Sequence, residues 1–143
     1  MKYSTKTSDA VHMLVYIQLG DSVNLTSQAI ATSIQTNPGC VRQNMMKLKK
    51  AGLLNSVPGH PSPSLAKAPA DITLYDIYRA MEGDKPLLHL DTHVNPACGV
   101  GVNVQYALKD YYDEIQAAAE AKMKTITLED IIQSFNQRLA VLL

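Results

Sequence analysis

Residues 37–52 read Asn-Pro-Gly-Cys-Val-Arg-Gln-Asn-Met-Met-Lys-Leu-Lys-Lys-Ala-Gly. Asn37 before Pro38 is an N-cap followed by proline at the first helical position, where its missing N–H is no loss, and Gly52 supplies the stop. Val41, Met45, Leu48 and Ala51 recur at helical spacing, which predicts a helix with that face turned inward. The outward face then presents Gly39, Arg42, Gln43, Met46, Lys47 and Lys50.

Working outward, Val11, Leu14, Val15 and Leu19 predict an earlier helix from Ser8, as N-cap, to a stop at Gly20. Thr26 caps a second, short helix carrying Ala29, Ile30 and Ile34, and Gln35-Thr36-Asn37 form the turn into the third. Downstream, Leu53, Leu54 and Val57 read as a strand. Residues 58–64, Pro-Gly-His-Pro-Ser-Pro-Ser, read as a stiff loop before a second short strand at Leu65 and Ala66. Three helices followed by a two-stranded wing is the order of a winged helix-turn-helix. The expected fold class is therefore mainly α with a small β-wing: a winged helix-turn-helix domain over residues 1–83, then a connector, a long dimerisation helix and a C-terminal helix over 84–143.

Thr73 with Asp76 forms a capping-box pattern that opens a helix ending at Gly83. The phrase Ile126-Thr127-Leu128-Glu129-Asp130-Ile131 repeats Ile72–Ile77 almost letter for letter and opens the last helix; two such short copies read as convergent helix starts rather than a repeat fold. Residues 84–96 lack helical period. A long helix then follows from about Ala97 to Lys124, with Asn95 as its cap and Pro96 in its first turn. Its apolar positions Val104, Leu108, Tyr111, Ile115 and Ala118 step by four and three, the seam of a coiled-coil-like contact. Such a stripe either packs on its own domain or pairs with its copy in a second chain. Pairing is favoured here because the first half is too small to cover it.

The chain has 143 residues, with 13 basic and 13 acidic side chains. The overall neutrality hides a split: residues 1–67 carry seven basic and two acidic residues, leaving 6 basic and 11 acidic for the remainder. A basic first half faces a polyanion. Arg42 and Gln43 suit guanine and adenine edges, while Lys47 and Lys50 suit phosphates. Thr26, Ser27 and Gln28 lie at a helix start that favours phosphate, Pro38 and Gly39 open the reading helix, His60 lies at the wing tip, and Lys2, Lys6 and Lys67 flank the groove. The expected partner is double-stranded DNA. A wing tip without Arg or Lys also suits a second reading, a dimeric winged-helix protein-interaction module without DNA binding. No phosphate loop, HExxH or GxSxG pattern is present, so no enzyme is expected and no catalytic residue is assigned. The longest apolar stretch, 11–19, is too short to span a bilayer.

The stretches 6–12, 37–53 and 65–77 together resemble the Rrf2 family of bacterial winged-helix transcription regulators, and the similarity continues more weakly to about Ile131. The resemblance implies a homodimer, with long helices crossed between subunits, that represses from a partly palindromic operator. Cluster-binding members of the family carry three cysteines before the dimerisation helix. Here only Cys98 matches; Thr92 and Val104 occupy the other two places. One thiolate does not hold an iron–sulfur cluster, and His89 and His93 fit no familiar ligand spacing, so neither cofactor nor metal is expected. Two cysteines 58 residues apart, in a chain without a signal peptide, point instead to reduced thiols in the cytoplasm. Asn37–Cys40 and Asn95–Cys98 each place a sulfur at the third position of a helix, where the dipole favours thiolate. Cys40 and Cys98 are thus candidate redox switches, or else inert small residues.

Overall fold

A computed structural model describes residues 3–20, 24–57 and 59–142, without the side chains of residues 60, 61 and 142. The element order is α1 (Lys6–Gln18), α2 (Ser27–Ile34), α3 (Pro38–Lys50), β1 (Leu54–Val57), β2 (His60–Leu65), a 3-10 turn (Pro69–Asp71), α4 (Leu74–Glu82), α5 (Gly99–Met123) and α6 (Leu128–Leu142). This is the expected mainly helical architecture with a two-stranded wing.

The core is built on α1, whose Ala10, Met13, Leu14 and Ile17 form one fully packed stripe. Against it lie Ile30 and Ala31 of α2, Val41 and Leu48 of α3, Leu53 and Leu54 at the wing's base, and Ile77 and Met81 of α4. Ala51, expected on the inner face of α3, is exposed, because the backbone leaves the helix there: Leu53 N–H donates to Leu48 O at 3.0 Å and turns the chain into β1. α1 also starts earlier than expected. Asp9 N–H already donates to Thr5 O at 2.9 Å, so Thr5, not Ser8, precedes the first turn, and Asp9 falls in that turn beside the positive dipole end.

The wing differs more. Its second strand begins at His60 rather than Leu65, with Val57 opposite His60 and Asn55 opposite Ser64, so the register shifts between these two pairs. Ala66 N–H donates to Leu53 O at 3.1 Å and closes the base of the wing.

The two copies of the repeated phrase meet. Thr73 and Thr127 form an isolated antiparallel bridge, in which Leu74 N–H donates to Ile126 O and Leu128 N–H to Ile72 O, both at 2.8 Å. Each threonine closes a reciprocal capping box, Thr73 with Asp76 and Thr127 with Asp130. A cap residue is extended, so two caps side by side are two short strands, and the flanking Ile72 and Leu128 are fully buried in the core of α1. The start of α6 is thereby fastened to the winged helix.

Candidate nucleic-acid interface

The α2–α3 unit is set by two caps and one left-handed residue. Thr26 Oγ1 accepts from Ala29 N–H at 3.2 Å, and Asn37 Oδ1 accepts from Cys40 N–H at 2.8 Å. Between them Gln35 adopts φ 64°, ψ 50° and Thr36 N–H donates to Ala31 O, which reverses the chain within three residues. The first-turn amides of Ser27 and Gln28 come before the start of the i→i−4 ladder and point out of the helix end.

On α3 the side chains of Arg42, Gln43, Met46, Lys47 and Lys50 are exposed as expected, whereas Pro38 and Gly39 are half-buried. A Cβ on Gly39 would come within 3.1 Å of Asn37 Oδ1, so this glycine serves the cap of the helix rather than the outer face. The exposed side chains divide between two flanks. Arg42 lines an open groove of about 570 Å³ together with Thr26, Ser27, Met46, Lys49 and Val57, so the start of α2, the reading helix and the wing converge there. Lys47 and Lys50 line a separate groove of about 470 Å³ on the other flank, with Lys6, Arg79 and Lys85 and one carboxylate, Glu82. Gln28 is exposed at the start of α2 and Gln43 on α3, and neither lines either of these two grooves. The side chain of His60 and all of Lys2 lie outside the described residues.

Sequence reasoning did not single out three cations of this face. Arg79 and Lys85 come from α4 and its exit, beyond the basic half of the chain, and enter only because α4 packs beside α3. Arg79 is engaged with Asp84 at 3.0 Å and Gly83 O. Lys49 is different, because its Nζ donates to Ser56 O in β1 at 2.7 Å and ties the wing to the reading helix. Replacing Lys49 with methionine is expected to lower operator affinity about fivefold while leaving the salt slope unchanged, since a wing tether and not a phosphate contact is lost. A slope reduced by about one unit in a salt titration would instead make Lys49 a phosphate ligand.

Away from this face, α5 contains no buried residue. Val104, Tyr111 and Ile115 are 47%, 64% and 48% exposed, Ala118 is exposed and Leu108 half-buried, so the seam is largely uncovered by its own chain. The helix is held to the rest by polar contacts. Gln116 donates to Tyr78 Oη at 3.0 Å and accepts from Leu87 N–H at 2.9 Å, and Tyr78 Oη donates to Lys85 O. Beside the seam, Lys109 donates to Asp113 at 2.7 Å, and that bond raises the lysine's pKa above its ordinary value.

The helix α5 begins at Gly99, so Cys98 is its N-cap and not its third residue: Sγ accepts from Gly101 N–H at 3.4 Å. Asn95 is spent on an Asx turn to Ala97 N–H, which shifts the helix start beyond Pro96. Cys40 does occupy the third position of α3 and is half-buried, while Cys98 is exposed. Among the described residues no three His, Cys, Asp or Glu side chains converge on one point; His93 lies near Asp91 alone, at 3.6 Å. Among the described residues no helix is long and apolar enough to cross a membrane.

Residues 3–134 match the Rrf2 family, described as iron-dependent transcriptional regulators. The protein YwnA of Bacillus subtilis strain 168, whose name places it among HTH-type transcriptional regulators, is 36% identical over 129 residues, covering 90% of this chain and 96% of that one. A crystal structure of a protein described as DNA-binding aligns with a TM-score of 0.70 at 35% identity, covering 89% of this chain and 98% of the other. The fold alone is shared with CymR, the global cysteine regulator of B. subtilis, at 22% identity and a TM-score of 0.65 over 93% and 97% of the two chains. By their names these relatives are transcriptional regulators or DNA-binding proteins. A winged helix whose reading helix, wing and α2 start share one cationic groove, matched along nearly its whole length, belongs to the Rrf2 family of transcriptional regulators.

Proposed function

We propose that this chain acts in the cytoplasm as a homodimeric repressor of a partly palindromic operator, without an iron–sulfur cluster. The observation that carries the reading is the division of α3. Arg42 shares a groove with the wing and the α2 start, while Lys47 and Lys50 share the other flank with Lys6, Arg79 and Lys85, five cations against the single carboxylate of Glu82. One flank suits base edges and the other suits phosphates. The uncovered seam of α5, from Val104 to Ala118, supplies the dimer contact, and two heads then meet two half-sites.

The test is binding of the full chain to DNA from upstream of its own gene across a salt series. Affinity is expected to fall steeply with salt. Arg42→Ala is expected to cost specific binding about tenfold or more and random-DNA binding far less. Equal losses on both DNAs would make Arg42 a phosphate contact, and salt-independent or absent binding would favour a protein-docking module.

Thiol control is part of the same reading. Cys98 is exposed and caps the helix that carries the seam, so oxidation there alters a helix start in the dimer arm. Repeating the series after peroxide treatment tests it: affinity lost on oxidation and kept in Cys98→Ser supports the switch, and identical curves remove it.

A further inference from the structure

The groove that holds Arg42 has a lining whose chemistry a phosphate contact does not explain. Its floor and wing side are apolar: Leu25 and Met45 below, Met46 and Val57 toward solvent, Pro63 on β2. Met46 is 70% exposed and Val57 61%, yet neither is an isolated surface hydrophobe, since they line one concavity walled by the cations Arg42 and Lys49. Scattered apolar side chains need no account, but a contiguous apolar surface between cations calls for an occupant with an apolar edge and negative charge beside it. Duplex DNA offers that combination in its major groove, where the thymine C5-methyl is the apolar group and phosphates line the rim.

We propose that Met46, backed by Val57, reads a thymine methyl group next to the base contacted by Arg42. The inference rests on the DNA-reading function proposed above and adds a base identity to it. Arg42 and Met46 are one turn apart on the same face of α3, a rise of about 6 Å. With bases stacked about 3.4 Å apart, the thymine lies within about two base pairs of the guanine or other base that Arg42 meets. A flexible thioether suits the task, because it follows the methyl as the duplex settles. Lys49, fixed to Ser56 O, holds the Val57 side of the groove in place.

The experiment uses the full chain and a duplex selected from random DNA for tight binding, with each thymine replaced singly by deoxyuridine, which lacks only the methyl group. In each half-site one such replacement, within about two base pairs of the position sensitive to Arg42→Ala, is expected to weaken binding about fourfold. Met46→Ala is expected to bind the thymine duplex about fourfold more weakly and to abolish the difference between the two bases, while Met46→Leu retains it. Uniform affinity for all deoxyuridine duplexes, with specific binding still dependent on Arg42, would overturn the inference and leave the DNA-reading function intact. A thymine preference that survives in Met46→Ala would assign the methyl to another side chain and equally overturn it. If the chain binds no DNA, the DNA-reading function itself fails and the inference falls with it.

Discussion

Replacing Ile115 with aspartate is expected to convert the proposed dimer to a monomer in sedimentation and to lower operator affinity by about a hundredfold or more. The side chain lies in the second half of α5, 48% exposed on a helix with no buried residue, and the apolar positions before and after it point the same way. A carboxylate placed in a seam of Tyr111, Leu108 and Ala118 would have to be desolvated without a partner on association. The DNA loss follows from linkage rather than from contact. A tethered second head binds at an effective concentration near millimolar, and a monomer forfeits that gain while each head keeps its own weak affinity. The variant should therefore retain random-DNA binding with about half the salt slope of the dimer. An unchanged sedimenting mass would show that α5 is not the dimer contact. An unchanged operator affinity in a proven monomer would show that one head reads the whole site.

The second large effect concerns the fastening of α6. Leu128→Ala is expected to cost about 3 kcal/mol, a fall of roughly 10 °C in melting temperature for a chain of this size. Leu128 is fully buried among residues of α1 and follows the cap at which Thr127 pairs with Thr73. Truncation opens a cavity at the point where α6 enters the winged-helix core, and the backbone bonds Leu128 N–H to Ile72 O and Leu74 N–H to Ile126 O limit how far the chain can relax to fill it. By contrast, Leu139→Ala, far along α6 and 44% exposed, should change stability by about 0.5 kcal/mol or less. Thermal unfolding of the two variants checks the contrast. Equal small effects would mean that α6 docks without being part of the core.

The local chemistry of the caps was legible from residues alone. Thr26, Asn37, Thr73 and Thr127 each close the helix start that their neighbours predict, because a cap hydrogen bond reaches only three residues and depends on nothing further away. The inward stripe of α3, the outward Arg42, Gln43, Lys47 and Lys50, and the wing's presence after Gly52 follow from the same short-range periodicity. Cys98 marks the limit. Asn95-Pro96 has the letters of Asn37-Pro38, yet Asn95 closes a turn at Ala97 and the helix waits until Gly99.

What tertiary structure decided are the meetings between segments distant in sequence. The capping-box phrases at 72–77 and 126–131 each predict a helix start, but nothing in either predicts that their extended cap residues pair with one another. That pairing depends on a shared core in which both Ile72 and Leu128 are buried. The flank of Lys47 and Lys50 acquires Arg79 and Lys85 only because α4 lies against α3. Sequence periodicity fixes which face of an element is apolar; it carries no information on which distant element will cover that face, and here the packing of the folded chain supplies it.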